Sequence, residues 1–207
     1  LGRPSISYAI DVAKEVGIFS EIYVSTDDAE VANVAKELGA TIPFMRPQNL
    51  ADDYSTTKQV MSHAVREIKK INKSFKDVCC IYPIAPLVDG VDIRKSYDLM
   101  VSSNADQCIP VAKFQSSIFR AFKKSNNQMS YFYPEFEKTR TQDLEESYYD
   151  VGQFYWGTYE FWANPDSIST NNVGYEIPSW RVVDIDTEED WMRAELMYKV
   201  INAKGAI

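Results

Sequence analysis

The sequence predicts an α/β protein with a mostly parallel sheet and helices on both of its faces, and three observations indicate this class. Apolar residues recur at helical spacing in four segments, and short strand-like runs alternate with them as far as residue 111. Within the predicted strand 77–82, residues 78–81 are continuously apolar rather than alternating, which is typical of a strand buried on both faces. The chain has 207 residues, 45% hydrophobic and 25% charged, so one domain can bury a sizeable core.

The predicted helices carry local start and stop signals. Gly17 ends the first helix and Gly39 the second, and Asp27 or Asp28 caps the start of the second. The predicted helices are 5–16, 29–38, a long one after residue 55, and about 91–102. In the long helix the residues expected to face inward are Val60, Ala64, Ile68 and Ile71.

Strands are predicted between these helices at 21–25, 41–45, 77–82 and 107–111. In sheets of this type, ligands bind beyond the carboxyl ends of the strands. This rule indicates four segments as the candidate site: 25–28, 46–55, 82–88, and the neighbourhood of Asp184 and Asp186.

The alternation of strands and helices breaks at Lys113. Residues 113–163 contain 15 of the 27 aromatic residues, which is too many large apolar groups for a solvated loop. We expect an arm at 113–150, inserted within the domain, whose hairpin turns at 124–128 and which packs on the body or on another subunit.

Asp184 and Asp186 lie two residues apart at a predicted strand end, immediately before a helix. In extended backbone they share one face, while Val183 and Ile185 point into the core. Such a carboxylate pair can hold a divalent cation, Mg²⁺ or Mn²⁺, because hard cations bind carboxylate oxygen and bridge to substrate phosphates. A second interpretation is a capped helix start, with Thr187 as the cap and acidic residues after it; the two interpretations are compatible.

Composition excludes several classes of function. The net charge of −8 argues against general nucleic-acid binding. No apolar run reaches membrane-spanning length and no signal peptide opens the chain, so a cytoplasmic protein is expected. Cys79 and Cys80 adjoin in an apolar run, which suits reduced thiols. The only histidine, His63, lies mid-helix, so sites built on Ser-His-Asp, Cys-His or histidine-ligated zinc are not expected.

Six motifs follow one another along the chain: 24–27 with 35–40, Arg-Pro at 46–47 with 50–53, Tyr-Pro-Ile-Ala-Pro-Leu at 82–87, 141–144, Gly-Gln-Phe-Tyr at 152–155, and Asp-Ile-Asp at 184–186. They stand in the order found in the CMP-sialic acid synthetase group, a family of cytidylyltransferases, which the chain resembles over some 160 residues. The segment 142–156 is most similar to the pseudaminic acid cytidylyltransferases.

The resemblance implies a Rossmann-like three-layer nucleotidyltransferase fold, of the nucleotide-diphospho-sugar transferase type, with residues 1–207 as a single cytidylyltransferase domain. It also implies a homodimer in which the arm at 113–150 reaches the partner's active site. The implied reaction joins CTP to a nine-carbon sugar acid, pseudaminic acid, and gives the CMP-sugar and pyrophosphate. No nucleic-acid or membrane partner is expected.

Several residues match functional positions of that family. Asp184 and Asp186 match its Mg²⁺-binding aspartates. Arg46 matches an arginine near the nucleotide phosphates, and Ser55 and Thr57 fall where the family contacts the cytidine.

At the positions where sialic acid synthetases contact the sugar, this sequence departs from their pattern. Tyr82 stands in place of a sugar-contacting glutamine, Ala85 in place of a serine, and Val151 in place of an asparagine. Arg140, one residue from the family's arginine, is a candidate for the sugar carboxylate, with a solvated arm arginine as the alternative. Further sugar-pocket candidates are Gln142, Tyr148 and Gln153.

Other functions stay open at this point. The family's phosphate loop, expected just before Leu1, is absent from the sequence, which predicts weak CTP binding or none. The alternatives are a CMP-sialic, CMP-legionaminic or CMP-KDO synthetase, or a non-catalytic dimeric binding module. The carboxylate pair at Asp184 and Asp186 favours an enzyme, since a binding module has no need of it.

Overall fold

The computed structural model describes residues 2–71 and 75–203. The helices in these ranges are α1 (Ser5–Val16), α2 (Ala29–Glu37), α3 (Thr57–Ile71), α4 (Gly90–Ser102), α5 (Tyr159–Ala163) and α6 (Glu188–Ala203). The strands are β1 (Asp77–Ile81), β2 (Gln107–Lys113), β3 (Phe122–Ser125), β4 (Gln128–Tyr131), β5 (Tyr148–Asp150), β6 (Phe154–Thr158) and β7 (Asn172–Glu176). Among the described residues, no helix is long and apolar enough to cross a membrane.

β2 is the central strand of the sheet. It pairs in parallel with β7 and antiparallel with both β5 and β6, and β6 pairs antiparallel with β1. β1, β2 and β7 therefore run in one direction, while β5 and β6 run in the other. The prediction of a mostly parallel sheet is wrong in this respect, because the chain returns from the arm by inserting β6 between β1 and β2.

The two strand predictions nearest the start of the chain are only partly correct. Residues 21–25 and 41–45 meet in a single parallel bridge between Tyr23 and Thr41. The bridge has two backbone bonds, from Val24 N to Thr41 O at 3.0 Å and from Thr41 N to Ile22 O at 2.8 Å. The backbone directions are as expected, but the pairing is too short to form strands.

β5 and β6 lie in line along one edge of β2. β7 covers the opposite edge, since Val111 faces Asp150 of β5 on one side and Glu176 of β7 on the other. Cys108 likewise faces Trp156 of β6 and Val173 of β7. Residues 151–153 interrupt the ladder between β5 and β6 as a bulge, and such bulges redirect side chains beside functional sites.

The main core lies between the sheet and the helices α1 and α4. Phe154 and Ile93 are fully buried there, and the indole Nε1 of Trp156 donates to the carbonyl of Ile93 at 2.9 Å. The predicted inward face of α3 is confirmed for Ala64 and Ile68. It is wrong for Ile71, which is 65% exposed because the helix ends there.

β1 is half-buried along its length, whereas its apolar run predicts a fully buried strand. In the described ranges, β6 is the strand that pairs with β1, and it covers one edge. β1 lies where the sequence predicts it, but its residues are less buried than predicted.

The predicted hairpin in the arm is confirmed. β3 and β4 pair through the turn residues Asn126 and Asn127, whose φ angles are 46° and 66°. Asparagine adopts this left-handed conformation more readily than most residues, and it suits a two-residue hairpin turn. The rings of Phe122 and Tyr131 pack across the hairpin with their centroids 4.4 Å apart.

Candidate active site

The segment that carries the carboxylate pair forms no strand, and Asp186 lies in a bend before α6, so the predicted strand end is wrong in that detail. Val183 packs with Leu87, Ala194 and the half-buried Ile185 in a small apolar cluster between the 82–88 loop and α6. Asp184 and Asp186 are both exposed. The predicted alternation of core-facing and solvent-facing residues therefore holds without a strand ladder.

The predicted cap of α6 is present. The hydroxyl of Thr187 accepts from the backbone N–H of Asp190 at 3.2 Å, and the backbone N–H of Thr187 donates to the Asp190 carboxylate at 3.0 Å. This reciprocal pattern is a capping box. The hydrogen bond from Thr187 lowers the pKa of Asp190. The two interpretations of this segment are compatible: the backbone N–H of Asp186 donates to the Asp190 carboxylate at 3.4 Å, while the carboxylates of Asp184 and Asp186 take no part in the cap.

The bulge between β5 and β6 faces Asp184. Gly152 has a φ of +63°, and a Cβ added there would lie 3.9 Å from Asp184 Oδ1. The carboxylate of Asp150 accepts from the N–H of Gly152 at 2.9 Å and from the hydroxyl of Tyr155 at 2.8 Å. Burial, followed by the hydrogen bond to Asp150, raises the pKa of Tyr155 well above its usual range, so the hydroxyl remains a donor.

Two predicted site residues from different parts of the chain meet at the end of β1. The hydroxyls of Thr57 and Tyr82 lie 2.5 Å apart. The ring of Tyr82 packs edge-on against the ring of Tyr155, with the centroids 5.4 Å apart. The backbone N–H of Tyr82 donates to the backbone carbonyl of Gln153 at 2.9 Å. The structure thereby connects a predicted cytidine contact, a predicted sugar contact and the bulge beside Asp184.

Gln153 is 3% exposed, and its side-chain nitrogen donates to the carbonyl of Arg181 at 3.1 Å. Ala85 and Val151, 5% and 2% exposed, are buried as well. The apolar sugar pocket expected from three replaced residues therefore depends on the half-buried Tyr82, since the other two side chains belong to the core.

Arg46 is half-buried and forms an ion pair with Asp27 at 3.1 Å. Its backbone N–H donates to the carbonyl of Thr26 at 2.8 Å, which joins the segments 25–28 and 46–55 as the strand-end rule predicts. The Nε atom of Arg46 is buried without a hydrogen-bond partner among the described residues. An anionic ligand could supply that partner.

Ser55 lies in the turn that leads into α3. Its N–H donates to the carboxylate of Asp52 at 2.7 Å, and its hydroxyl lies 3.4 Å from the carbonyl of Asn49. Hydrogen bonds from Ser55 and Tyr54 lower the pKa of Asp52. In this structure Asp52 therefore orders the loop before α3.

The arm contains three of the residues predicted to bind the sugar. Two of them form hydrogen bonds within the arm, and the third is exposed. The guanidinium of Arg140 forms two bonds to Asp143, at 2.7 and 2.9 Å. Gln142 is exposed, and the hydroxyl of Tyr148 donates to Glu146 at 3.1 Å. The structure does not bring Arg140, Gln142 and Tyr148 into hydrogen-bond contact with the carboxylate pair. Their predicted roles would require the partner subunit or movement of the arm.

The carboxylate pair fits Mg²⁺ or Mn²⁺ as a partial ligand set. Across residues 2–71 and 75–203, no group of three or more His, Cys, Asp or Glu side chains is placed to hold a metal by itself. Two exposed carboxylates suit a cation that takes its other ligands from water and substrate phosphates, which is how Mg²⁺ is commonly held. The phosphate loop expected before Leu1 falls outside the described residues.

Asp150 and Tyr155 were not among the predicted site residues. Tyr155 ends the Gly-Gln-Phe-Tyr motif at 152–155, and Asp150 stands two residues before Gly152, a spacing typical of an aspartate that bonds a turn N–H. These signals could have marked both residues. The packing of Tyr155 on Tyr82 and the approach of Gly152 to Asp184 depend on the folded chain and are not visible in the sequence.

Comparison with known proteins identifies the family. The cytidylyltransferase family model matches residues 1–156. A pseudaminic acid cytidylyltransferase of Campylobacter jejuni subsp. jejuni serotype O:2 is 37% identical over 202 residues, which cover 97% of this chain and 87% of the relative. A CMP-N,N'-diacetyllegionaminic acid synthase of Legionella pneumophila is 24% identical, with 96% of this chain and 87% of the relative covered.

The fold has solved counterparts. The structure of a CMP:2-keto-3-deoxy-manno-octonic acid synthetase complexed with CTP matches 96% of this chain and 90% of that one, with a TM-score of 0.68 and 14% identity. This likeness confirms the predicted Rossmann-like nucleotidyltransferase fold. Together with the match of the family model over residues 1–156, these observations lead to one conclusion: the chain belongs to the cytidylyltransferase family.

Proposed function

We propose that this protein transfers CMP from CTP to pseudaminic acid, giving CMP-pseudaminic acid and pyrophosphate. The observation that carries the proposal is the 37% identity, over 97% of the chain, to a Campylobacter jejuni pseudaminic acid cytidylyltransferase. The relative from Legionella, named for another sugar acid, is only 24% identical over a similar span. The exposed pair at Asp184 and Asp186 supports catalysis rather than binding alone.

In the proposed reaction the anomeric hydroxyl of the sugar attacks the α-phosphorus of CTP. The bond from that phosphorus to the bridging oxygen breaks, and pyrophosphate leaves with the oxygen. Such transfer requires alignment of the two substrates and neutralisation of phosphate charge more than covalent chemistry from the protein. Asp184 and Asp186 would hold Mg²⁺ or Mn²⁺, which when bound neutralises charge on the phosphate oxygens.

The remaining residues orient the substrates. The buried Nε atom of Arg46 has no hydrogen-bond partner in the part of the chain that the structure describes, and a phosphate oxygen could supply one. Thr57 and Ser55 stand at the start of α3, where the family contacts the cytidine. Tyr82 would contact the sugar. Its hydrogen bond to Thr57 would fix the position of the sugar-binding residues relative to the nucleotide-binding residues.

The proposal includes a homodimer. Six large apolar or aromatic side chains of the arm are at least 40% exposed, which favours a surface that another subunit covers: Phe114, Phe122, Met129, Phe132, Tyr133 and Tyr148. A second subunit that covered this face would also bring Arg140, Gln142 and Tyr148 of one arm towards the other active site. A cytoplasmic location, with Cys79, Cys80 and Cys108 as free thiols, completes the proposal.

Pyrophosphate release with CTP and a panel of sugar acids tests the proposal. The panel holds pseudaminic, N-acetylneuraminic, N,N'-diacetyllegionaminic and ketodeoxyoctonic acids. We expect release with pseudaminic acid at the highest kcat/KM. A higher value with another acid would support that alternative synthetase, and release with none of them would favour a binding module.

A further inference from the structure

A buried ion pair stands at the start of the segment that carries the two aspartates. Nη1 of Arg181 lies 2.7 Å from Oδ2 of Asp92, and the two side chains are only 13% and 7% exposed. The hydroxyl of Tyr175 donates to the other oxygen of Asp92 at 3.0 Å. Asp89, the N-cap of α4, lies 3.5 Å from the same Arg181 nitrogen. Arg181 is thus joined to α4, and through Asp92 to β7.

The backbone of Arg181 is held from the opposite direction. Its carbonyl accepts from Gln153, which is buried in the bulge next to Gly152. Gly152 in turn approaches Asp184, which follows Arg181 by three residues. The side chain and the main chain of Arg181 therefore connect α4 and the bulge to the start of the acidic segment.

The ion pair of Arg181 with Asp92 and the hydrogen bond from Gln153 matter because the acidic segment has no ladder of its own. Residues 182–186 form no strand, and their apolar contacts come from Val182, Val183 and Ile185. Apolar burial is non-directional. It therefore holds a segment against the core more firmly than it fixes where the segment lies along the core surface. A metal site tolerates displacement of its ligands by only about 0.5 Å. A backbone bond from Val182 to Ser179 closes the turn before the segment, and the contacts of Arg181 connect that turn to α4 and to the bulge.

We propose that Arg181 is a positioning residue, whose buried pair with Asp92 holds Asp184 and Asp186 where they bind a divalent cation. This inference rests on the metal role of the two aspartates in the proposed function. Arg181 is itself a cation and contacts no metal. One nitrogen, Nη1, makes both contacts, and arginine suits the position because the planar guanidinium fixes the direction of that nitrogen, whereas the ammonium of lysine sits on a flexible stem.

The test measures Mn²⁺ binding to the purified protein, by electron paramagnetic resonance of the free ion, beside thermal unfolding. The key variant is Arg181→Lys, which keeps the charge but replaces the planar guanidinium with a flexible ammonium. Tyr175→Phe loosens Asp92 and leaves the ion pair, so it keeps the test open should Arg181→Lys fail to fold. The matched control is Tyr97→Phe, which also removes a bond from a tyrosine of the sheet-and-helix body to a carboxylate, that of Asp77 at 3.2 Å. Asp184→Asn is the reference for loss of the site.

We expect Arg181→Lys to weaken Mn²⁺ binding by about tenfold, the effect typical of removing a support behind a metal ligand. Tyr175→Phe should weaken it in the same direction, and Tyr97→Phe should bind Mn²⁺ as the wild type does. Unchanged binding in both Arg181→Lys and Tyr175→Phe, with melting temperatures lowered as in Tyr97→Phe, would overturn the inference and leave a purely structural pair. Unchanged binding in Asp184→Asn would instead overturn the metal role itself, and this inference with it.

Discussion

The hydroxyl of Thr57, at the start of α3, lies 2.5 Å from the hydroxyl of Tyr82, just beyond the end of β1. Tyr82 also packs against Tyr155, whose hydroxyl donates to Asp150 beside the bulge. A continuous set of side chains therefore runs from the expected cytidine side of the site to the loop that faces Asp184.

Tyr82 offers a test of sugar preference. A glutamine there would restore a polar group that sialic acid synthetases carry, so Tyr82→Gln should reduce the preference for pseudaminic over N-acetylneuraminic acid. Leaving one buried hydroxyl unpaired costs about 1–3 kcal/mol, which corresponds to roughly 5- to 150-fold in relative kcat/KM. Tyr82→Phe is the control, because it loses only the bond to Thr57. An unchanged ratio in Tyr82→Gln would remove Tyr82 from the sugar pocket.

The carboxylate pair offers a test of the metal role. Asp184→Asn and Asp186→Asn should each abolish turnover, because each removes a charged ligand. Both side chains are exposed, so the free energy of unfolding should change by no more than about 0.5 kcal/mol. Steady-state rates at saturating Mg²⁺ and circular dichroism measure the two effects. Near-normal activity in either variant would contradict the metal role.

Gly152 offers a test of the bulge. Its φ of +63° is unfavourable for alanine, and the added methyl group would face Asp184 Oδ1 at 3.9 Å. Gly152→Ala should destabilise the protein by about 1–2 kcal/mol in urea unfolding and lower kcat. Gly17→Ala is a matched control, since Gly17 has a φ of +66° at the end of α1. Equal activity losses in the two variants would show that strain, and not proximity to Asp184, is responsible.

The arm offers a test of assembly. Phe122 and Phe132, 50% and 57% exposed, should be covered in a homodimer, so changing both to serine should yield monomers in analytical ultracentrifugation. Lys123→Ser and Lys124→Ser serve as controls on the same hairpin. A wild-type protein that is monomeric at micromolar concentration would contradict the dimer.

Sharing of the active site across such a dimer can be tested separately. A mixed dimer of Asp184→Asn with Arg140→Ala should recover part of the activity that each variant lacks alone, because one of its two sites would be intact. Rates are measured after the two variants are unfolded together and refolded. No recovery, with mixed dimers verified by mass spectrometry, would place both residues in the same subunit's site.

The parts of the fold that the sequence predicts well are those with local signals. Gly17 adopts the left-handed conformation that ends α1, Asp28 caps α2 with two backbone bonds, and the two asparagines turn the hairpin. The direction of β6 was not predicted, since strand pairing depends on residues distant in sequence. For the same reason the predicted strands at 21–25 and 41–45 are longer than the single bridge that the structure shows between them.

The candidate site shows the same division. The exposure of Asp184 and Asp186 follows from their spacing between buried apolar residues, so the sequence predicts it. The contacts of Gly152 with Asp184 and of Thr57 with Tyr82 join segments more than 20 residues apart and arise from the folded chain. The sequence likewise does not predict the buried ion pair of Arg181 and Asp92. The two residues are distant in sequence, and each one alone is typical of a charged surface residue.

A competition experiment tests the central claim most directly. The protein is incubated with CTP, Mg²⁺ and equal concentrations of pseudaminic acid and N-acetylneuraminic acid, and mass spectrometry measures the initial rates at which the two CMP-sugars form. The proposed function predicts CMP-pseudaminic acid as the main early product, with none formed by Asp184→Asn. Equal rates for both products, or CMP-N-acetylneuraminic acid alone, would contradict it.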